Sequence, residues 1–464
     1  MKRKVLLLIL TLLMLPLIIS AQTKEWSLED CILYALQNNI QLKQQEITTQ
    51  YKASELELSK LSLLPNLNGS ASHYYNFGRV ADMSTYQFIE NQTVRSNNFD
   101  ASSTVTLFSG LQNYNTIKKN TYNLQASVQD LEALKDNISL NIAIAYLQIL
   151  LNKELVNATA SQVDLTQQQI DRTKKLVDAG SLAKGNLLDI EAQAASEELQ
   201  LTTLQNNLAI SNLTLAQMLE IDSVNSFRIV TPDIIVNPVD VEGNPTSVYS
   251  IAEEKRPEIL SAENSLKASE FDLAIAKGGR SPKLQFGASM GTMYNSSRKK
   301  VIFGPDGVTP IGSVRVPFND QIDQNLNYGL GFSLSVPIFN GWQVNKSIQN
   351  AKRAIQYSEY TLEATKKTLY KNIAQAFADA QGALRKYYSS KKAVESMEEA
   401  FRYSEQKFNV GMVNAVDYNQ AKTKLLNAQS EMAQAKYEYV FKTKVLDFYK
   451  GLPLTLDQIG VISK

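Results

Sequence analysis

The sequence contains one structural unit written twice, and this duplication limits the possible folds more than any other feature. The segment "TVTLFSGLQ" at 104–112 returns as "SVPIFNGWQ" at 335–343, an offset of 231 residues that also relates Gly180 to Gly411. Upstream of these segments the offset falls to 217. The predicted organisation is repeat 1 at 22–221, a proline-rich linker at 222–246, repeat 2 at 247–452 and a tail at 453–464.

Each repeat reads as helix, two strands, a very long helix, a tight turn and a return helix. Residues 111–179 and 342–409 each read as a single helix about 100 Å long, far beyond the usual length in globular domains. The return helices carry heptads, which begin in repeat 1 with Leu187, Ala194 and Leu201. This spacing predicts packing as a left-handed coiled coil.

The strands alternate between apolar and small or polar residues. Leu330, Phe332 and Leu334 share one face, and Gly331 and Ser333 share the other. An apolar outer face and a polar inner face suit a transmembrane β-barrel with a wet lumen, although a strand of a soluble sandwich alternates in the same way. Four strands per chain cannot close a barrel, for which about eight is the practical minimum, so three copies are predicted to supply twelve.

The strand-to-helix turn repeats an aromatic residue followed by glycine. Repeat 1 has Phe108 and Gly110, and repeat 2 has Phe339 and Gly341. Glycine permits a sharp change of backbone direction. We therefore predict that these residues form the joint between the strands and the long helices, and that the segments at 77–98 and 295–325 are external loops.

The N-terminus reads as a secretory signal peptide at 1–21, with basic "MKRK", an apolar run at 5–19 and a small-residue cleavage site. No other segment resembles a transmembrane helix, so the mature chain is predicted to enter a membrane only as a β-barrel. The helices of the two repeats have clear start signals: Ser27 and Asp30 form a predicted capping box, and Pro257 suits the first turn of a helix.

The composition argues against several classes of protein. The chain has 47 Lys and Arg against 46 Asp and Glu, so it lacks the excess of positive charge that is typical of nucleic-acid-binding proteins. The single Cys31 cannot form an intrachain disulfide and is predicted to be packed, and the single His73 cannot build a His-rich zinc site or an evident triad. We predict no enzymatic activity, no cofactor and no metal.

Taken together, these motifs resemble the TolC family of outer-membrane efflux proteins across nearly all of the mature sequence. The motifs that carry the resemblance are "SLEDCILYALQNN", paired "LPNLNGSAS" and "SPKLQFGAS", paired "LFSG" and "IFNG", and paired "LVDAGSLAKGNLLDIEAQ" and "KFNVGMVNAVDYNQAKTK". The resemblance implies a mixed α and β membrane protein. Its homotrimer would form a 12-stranded transmembrane β-barrel, with four strands per chain, continued by a long periplasmic α-helical barrel.

The resemblance also implies a function and partners. The protein would be the outer-membrane exit duct of a tripartite efflux or type I export system. Small molecules or exported substrates would reach it from a periplasmic adaptor and an inner-membrane pump of RND, ABC or MFS type, and outer-membrane lipid would surround the barrel. The alternative considered is a periplasmic coiled-coil adaptor, which normally carries one helical hairpin and not two copies.

In the family, the helix–turn–helix tips close the periplasmic mouth and receive the adaptor. The matching tip residues are Gly180, Ser181, Leu182, Gly411, Met412 and Val413. The matching periplasmic gate positions are Asp417, Gln420 and Asn186, of which only Asp417 keeps the aspartate of the family pattern. A basic residue that links the tips in some members would fall on Val413. Each tip glycine also has a purely structural interpretation as a helix C-cap, and so has Asp417 as an acid in a first helical turn.

Overall fold

The structure is a computed structural model that describes residues 25–81, 87–222, 227–232, 236 and 243–455. The predicted signal peptide at 1–21 and most of the linker and tail lie outside these residues. Repeat 1 and the linker contain β1 (Glu25–Trp26), α1 (Leu28–Asn38), α2 (Ile40–Leu61), β2 (Asn68–Ala81), β3 (Phe88–Phe108), α3 (Gln112–Asp178), α4 (Lys184–Met218) and β4 (Arg228–Ile229). The following elements are α5 (Pro245–Lys255), α6 (Pro257–Gly278), β5 (Lys283–Asn295), β6 (Lys299–Phe303), β7 (Pro310–Arg315), α7 (Phe318–Gln324), β8 (Asn327–Ser335), α8 (Gln343–Asn409) and α9 (Ala415–Tyr449).

The long helices match the lengths that the periodicity predicts. Helices α3 and α8 have 67 residues each, and their return helices α4 and α9 have 35 each. The predicted capping box is confirmed, because the amide of Asp30 donates to Ser27 Oγ at 3.0 Å and the amide of Ser27 donates to Asp30 Oδ2 at 3.3 Å. Pro257 begins α6 as predicted. Helix α5 begins at Pro245, inside the predicted linker, because the Asn244 side chain caps it.

The chain divides into two compact units. The strand unit comprises Glu46–Asp130 and Pro257–Thr365, and the hairpin unit comprises Met1–Gln45, Leu131–Arg256 and Lys366–Lys464. The strand unit holds the sheet and the helical segments next to it. The hairpin unit holds both helical tips.

The strand unit is built on an antiparallel four-stranded sheet in the order β2-β3-β5-β8. The predicted alternation is confirmed, since Phe332 lies opposite Phe286 and Leu334 opposite Leu284 on one face. A register shift near the end of β3 places Phe108 opposite Leu284. The bulge adds one residue to β3, so Phe108 and not Leu107 continues the alternation set by Val105 opposite Phe286. Among the described residues the sheet is open, with β2 and β8 as its edges.

The two predicted external loops contain regular structure. Strands β2 and β3 extend through most of 77–98, and 295–325 contains the β6–β7 hairpin and α7. Helix α7 covers the part of β5 that extends beyond β8. The Gln321 side chain, only 1% exposed, accepts from the amide of Asn295 at 3.0 Å and donates to its carbonyl at 3.0 Å. A side-chain amide thus replaces a missing strand partner, which local sequence periodicity does not reveal.

The hairpin unit has its main core around Tyr146 of α3. The Tyr146 hydroxyl donates to the carbonyl of Val230 at 2.6 Å and lies 3.2 Å from that of Trp26, next to the short parallel pair β1–β4. Cys31 is fully buried in the same core, as predicted. None of the helices in the described part of the chain combines the length and apolar character needed to cross a membrane.

Candidate functional site

The two helical tips end in the same backbone motif. Gly180 and Gly411 have φ of +73° and +76°. In repeat 1 the amide of Ser181 donates to the Leu176 carbonyl at 2.9 Å, and in repeat 2 the amide of Met412 donates to the Lys407 carbonyl at 2.9 Å. These are Schellman caps, in which a glycine in the left-handed region satisfies the last helical carbonyls. The structural interpretation of both glycines as C-caps is confirmed.

The tips enclose a groove of about 520 Å³ within the hairpin unit. All six predicted tip residues except Gly180 line it, together with residues such as Leu176, Ile190 and Phe408. Met412 is 77% exposed at the end of repeat 2, whereas Leu182 and Val413 are half-buried. The groove therefore offers apolar side chains at an exposed turn, a combination found at protein-binding surfaces.

Polar contacts also line this groove. Arg172 Nη1 donates to Asn409 Oδ1 at 2.7 Å, which links the ends of α3 and α8. The family's basic position falls on Val413, which is not basic, so the sequence did not predict the link that Arg172 makes. Its partner Asn409 ends α8, and the two residues meet because α3 and α8 pack together near the tips. The Thr173 hydroxyl is buried beside the groove without a hydrogen-bond partner.

Of the three predicted gate residues, Asn186 lines the groove, and Asp417 and Gln420 are not among its lining residues. Asp417 is exposed in the first turn of α9, where its amide donates to the capping side chain of Asn414 at 2.8 Å. Gln420 is exposed on the same helix, and Asn186 lines the groove near the start of α4. A negative side chain in a first turn is stabilised by the helix dipole, so the structural interpretation of Asp417 fits its position.

A buried charged cluster, which we call the α9 clasp, joins α3, α4 and α9 near the tips. Lys422 is 4% exposed and Glu197 is 3% exposed. Lys422 Nζ donates to Thr166 Oγ1 at 2.5 Å, the Thr166 hydroxyl donates to the Glu197 carboxylate, and Nζ lies 4.0 Å from Glu197 Oε1. Burial lowers the pKa of Lys422, and the negative charge of Glu197 partly opposes that shift.

Sequence reasoning missed the α9 clasp, although a signal was present. The heptad through Ile190 and Leu204 places Glu197 at the position between them, which faces the core. A charged residue at a core position of a coiled coil needs a buried partner. The heptad alone does not say which lysine provides it.

The joint adopts the same conformation in both repeats. Gly110 and Gly341 have φ of +63° and +60°, as expected for the sharp turn, and each is followed by a bulky residue that is also left-handed, Leu111 at +61° and Trp342 at +63°. A left-handed side-chain residue costs roughly 1–2 kcal/mol. The sequence predicted the glycines, but it gave no reason to expect a second left-handed residue after each one.

The surroundings of the two joints differ. A Cβ atom on Gly110 would lie 2.5 Å from the carbonyl oxygen of Gly278, whereas a Cβ on Gly341 would meet nothing within 4 Å. Phe108 is 44% exposed and Phe339 is 78% exposed. The joint of repeat 1 is therefore packed within the chain, and the joint of repeat 2 is open.

Known proteins share both the sequence and the fold. The chain is 25% identical to the outer membrane protein TolC of Escherichia coli (strain K12) over 327 residues, which are 68% of this chain but only 62% of that protein. It is 19% identical to the alkaline protease secretion protein AprF of Pseudomonas aeruginosa over 90% of this chain and 83% of that protein. The crystal structure of the Campylobacter jejuni CmeC outer membrane channel matches with a TM-score of 0.78 and 17% identity, over 93% of this chain and 87% of that chain.

A family model adds the decisive match. The model described as "Outer membrane efflux protein" covers residues 32–219 and 248–449, and so includes both tips and both joints. The predicted resemblance and the predicted outer-membrane localisation are thereby confirmed, and the alternative of a periplasmic adaptor gains no support. The chain belongs to the outer membrane efflux protein family.

Proposed function

We propose that this chain is one subunit of a homotrimeric outer-membrane exit duct, built from an internal tandem repeat. It would pass small molecules or exported substrates from a periplasmic adaptor and an inner-membrane pump to the outside. The observation that carries the proposal is the open four-stranded sheet joined to two long helical hairpins in a chain of this family. Related proteins are named for export of pyoverdine and for secretion of a protease, so we propose a duct and not a particular cargo.

The two edges of the sheet favour ring closure. Because each neighbouring pair is antiparallel, β2 and β8 run in opposite directions. The β8 edge of one copy can therefore pair antiparallel with the β2 edge of the next, a head-to-tail interface that closes when the rotation per copy divides a full turn. Three copies would give twelve strands. Two measurements test this proposal. The purified protein is expected to give single-channel conductance in planar bilayers, and the mass of the assembly is expected to be that of three copies. A monomer that stays soluble without detergent and forms no pore would refute it.

The apolar face of β8 would contact outer-membrane lipid. Phe332 is 71% exposed and Leu334 is 65% exposed, and Ser333 between them points to the other face. A charge in the lipid-facing band of a barrel is destabilising, by about 2–4 kcal/mol for Arg or Lys at the midplane and less for Asp. We expect Phe332→Asp to reduce assembled protein in outer-membrane fractions, and Ser333→Asp to be tolerated as the control. Equal assembly of both variants would contradict the lipid-facing assignment.

The tips would receive the adaptor, since their groove combines exposed Met412 with apolar walls. A photo-crosslinking residue at Met412 is expected to capture a periplasmic adaptor in living cells. The same residue at Tyr388, exposed on α8 away from the turns, is the control. Capture of unrelated soluble proteins alone from Met412 would contradict the docking proposal.

Asp417, Gln420 and Asn186 would lie near the periplasmic gate. Three copies of Asp417 would form a carboxylate ring, which favours cations over anions. We expect Asp417→Asn to lower the cation preference in bilayer recordings, with Asp178→Asn at the end of α3 as the control. Unchanged selectivity would leave Asp417 with only its role in the first turn of α9.

A further inference from the structure

An aromatic group lies on the apolar face of the sheet, at the end far from the joints. The Phe318 ring of α7 packs against Tyr294 at 5.1 Å and against Phe99 at 6.5 Å between ring centroids. The register and the alternation along the strands place Tyr294 and Phe99 on the same face as Phe332. Aromatic side chains are enriched where a membrane meets water. In the proposed duct, this group therefore marks the outer boundary of the lipid-facing band.

Four basic residues follow directly beyond this boundary, and we call them the outer basic cluster. They stand at the start and the end of the β6–β7 hairpin: Arg298, Lys299, Lys300 and Arg315. The segment 295–316 contains a single acidic residue, Asp306. Its carboxylate accepts hydrogen bonds from two amides of the turn at the far end of the hairpin. The hairpin thus carries an excess of positive charge at its base.

The register of the hairpin brings two of these charges together. Lys299 lies directly opposite Arg315. Side chains at directly opposed positions share a face, with Cβ atoms about 4.5–5.5 Å apart, and like charges there are destabilising. Among the described residues, Lys299, Lys300 and Arg315 form no ion pair. The repulsion between Lys299 and Arg315 is therefore not relieved by a carboxylate of the described chain.

Arg298 is oriented by neutral groups. Its Nη1 atom donates to the side-chain oxygen of Asn325, and its Nη2 atom donates to Gln324 Oε1 at 3.3 Å. These amide oxygens fix the guanidinium but leave its charge uncompensated. The two acids of the adjacent helix α7, Asp320 and Asp323, are exposed and make no ion pair with the cluster in the described part of the chain.

We infer that the outer basic cluster binds the phosphate groups of lipid in the outer leaflet of the membrane. The inference rests on the proposed exit duct and names the class of lipid that its outer rim recognises. A phosphate group between Lys299 and Arg315 would replace one repulsion by two charge-assisted hydrogen-bonding contacts, and arginine can hold a phosphate with two parallel bonds. The aromatic group next to the cluster would set it at the depth of the lipid headgroups.

The other face of the hairpin favours a lipid over a soluble anion. Lys300 lies opposite Val314, and Ile302 follows on the same face. Both apolar side chains are exposed. A lysine in this setting can lay its aliphatic stem along an apolar surface and extend its ammonium group into the polar layer. Apolar side chains beside positive charge suit the boundary between headgroups and acyl chains, whereas a free phosphate ion would leave the apolar side chains exposed to water.

Lipid binding to the purified full-length protein tests the inference. The protein in non-ionic detergent is titrated with diphosphoryl lipid A, and bound lipid is counted by native mass spectrometry. The same lipid without its two phosphate groups is the control ligand, and inorganic phosphate is the competitor. The test variant is Lys299→Gln/Arg315→Gln. Its matched control, Lys352→Gln/Arg353→Gln, removes the same two charges from an exposed position on α8 beyond the joint.

We expect the wild type to bind the phosphorylated lipid more tightly than the dephosphorylated one. The Lys299→Gln/Arg315→Gln variant should weaken that binding on the order of tenfold, because each basic side chain near an anionic lipid surface contributes to the attraction. The α8 control should bind as the wild type does. Equal binding of both lipids, or equal binding by the test variant and the wild type, would overturn the inference. Displacement of the lipid by an equal concentration of inorganic phosphate would also overturn it, since the site would then be one for a soluble anion.

Thermal unfolding separates loss of binding from loss of fold. Without added lipid the test variant should melt no lower than the wild type, because the substitution removes a repulsion between like charges. Added phosphorylated lipid should raise the melting temperature of the wild type but not that of the variant. Equal rises in both proteins would contradict the assignment of the site to Lys299 and Arg315.

The outcomes also separate the inference from the proposed function. Trimers that conduct in planar bilayers but show no preference for the phosphorylated lipid would overturn the lipid site and leave the exit duct intact. A wild-type protein that forms neither trimers nor pores would overturn both.

Discussion

Removing the positive charge from the α9 clasp gives the sharpest test of the hairpin packing. The change is Lys422→Met, which keeps the unbranched shape of the side chain but removes its ammonium group. Glu197 stays buried and keeps its remaining contacts. One of these is the hydrogen bond that the side-chain amide of Gln193 donates to Glu197 Oε1 at 2.9 Å. It loses the cation that lies 4.0 Å from its Oε1 atom.

The structure sets the size of the effect. Two unit charges 4 Å apart attract by about 4 kcal/mol at an effective dielectric constant of 20. Removing one partner of a buried pair typically costs about 3–5 kcal/mol, because the other charge stays desolvated. We expect Lys422→Met to destabilise the hairpin unit by about 3 kcal/mol. Replacing both charges, as Lys422→Met with Glu197→Met, is expected to be close to neutral.

The assay is a double-mutant cycle on thermal unfolding, followed by the helical circular dichroism signal in detergent at neutral pH. The cycle isolates the interaction between Lys422 and Glu197 from the effects of each substitution alone. Lys436→Met is the matched control, because Lys436 lies on the same helix and is paired with Glu154 at 3.4 Å in a more exposed setting. Surface pairs of this kind contribute about 0–1 kcal/mol.

The pH dependence gives a second readout. The pKa of Lys422 is lowered in the folded protein, so the folded state releases this proton at a lower pH than the unfolded state. The stability of the wild type relative to Lys422→Met is therefore expected to rise with pH in the alkaline window between the two pKa values. A coupling energy near zero, or a loss no larger than that of Lys436→Met, would refute the reasoning that the α9 clasp is a buried ion pair.

Three further predictions concern backbone strain and a half-buried ion pair. Glu220 has φ +57° at the end of α4, where repeat 2 has glycine, so Glu220→Gly is expected to raise the free energy of unfolding by about 1 kcal/mol, and an unchanged melting temperature would contradict it. Lys442 Nζ donates to Asp379 Oδ2 at 2.6 Å and lowers the pKa of that carboxyl. The stability that this pair adds is present above pH about 4 and is lost on acidification. Asp379→Asn should therefore weaken the fall of the unfolding free energy at acid pH, by less than about 1 kcal/mol. Gly110→Ala should lower the free energy of unfolding by about 2–4 kcal/mol, because Ala is strained at the left-handed φ of +63° and its Cβ would lie 2.5 Å from the Gly278 carbonyl oxygen. Assembly of that variant at the wild-type level would contradict the packing at the joint.

The sequence alone determined the long helices, the alternation of the strands and the order of these elements within each repeat. The long helices, the capping box at Ser27, the alternation along β8 and the left-handed glycines at the tips and joints were all predicted correctly. Each of these features depends on residues close together in sequence, through helical or strand periodicity, capping and the freedom of glycine. The duplication strengthened the predictions of the long helices, the tips and the joints, because those signals occur in both repeats.

Only the tertiary structure decided which distant residues meet. The partner of Glu197 lies more than two hundred residues away on α9, and Gln321 replaces a strand partner that its own segment does not encode. The bulge that places Phe108 opposite Leu284, and the left-handed Trp342, depend on how the strand and the helix must join in space. Local propensity does not carry this information, because the free energy that selects these arrangements comes from contacts formed only after the chain has folded.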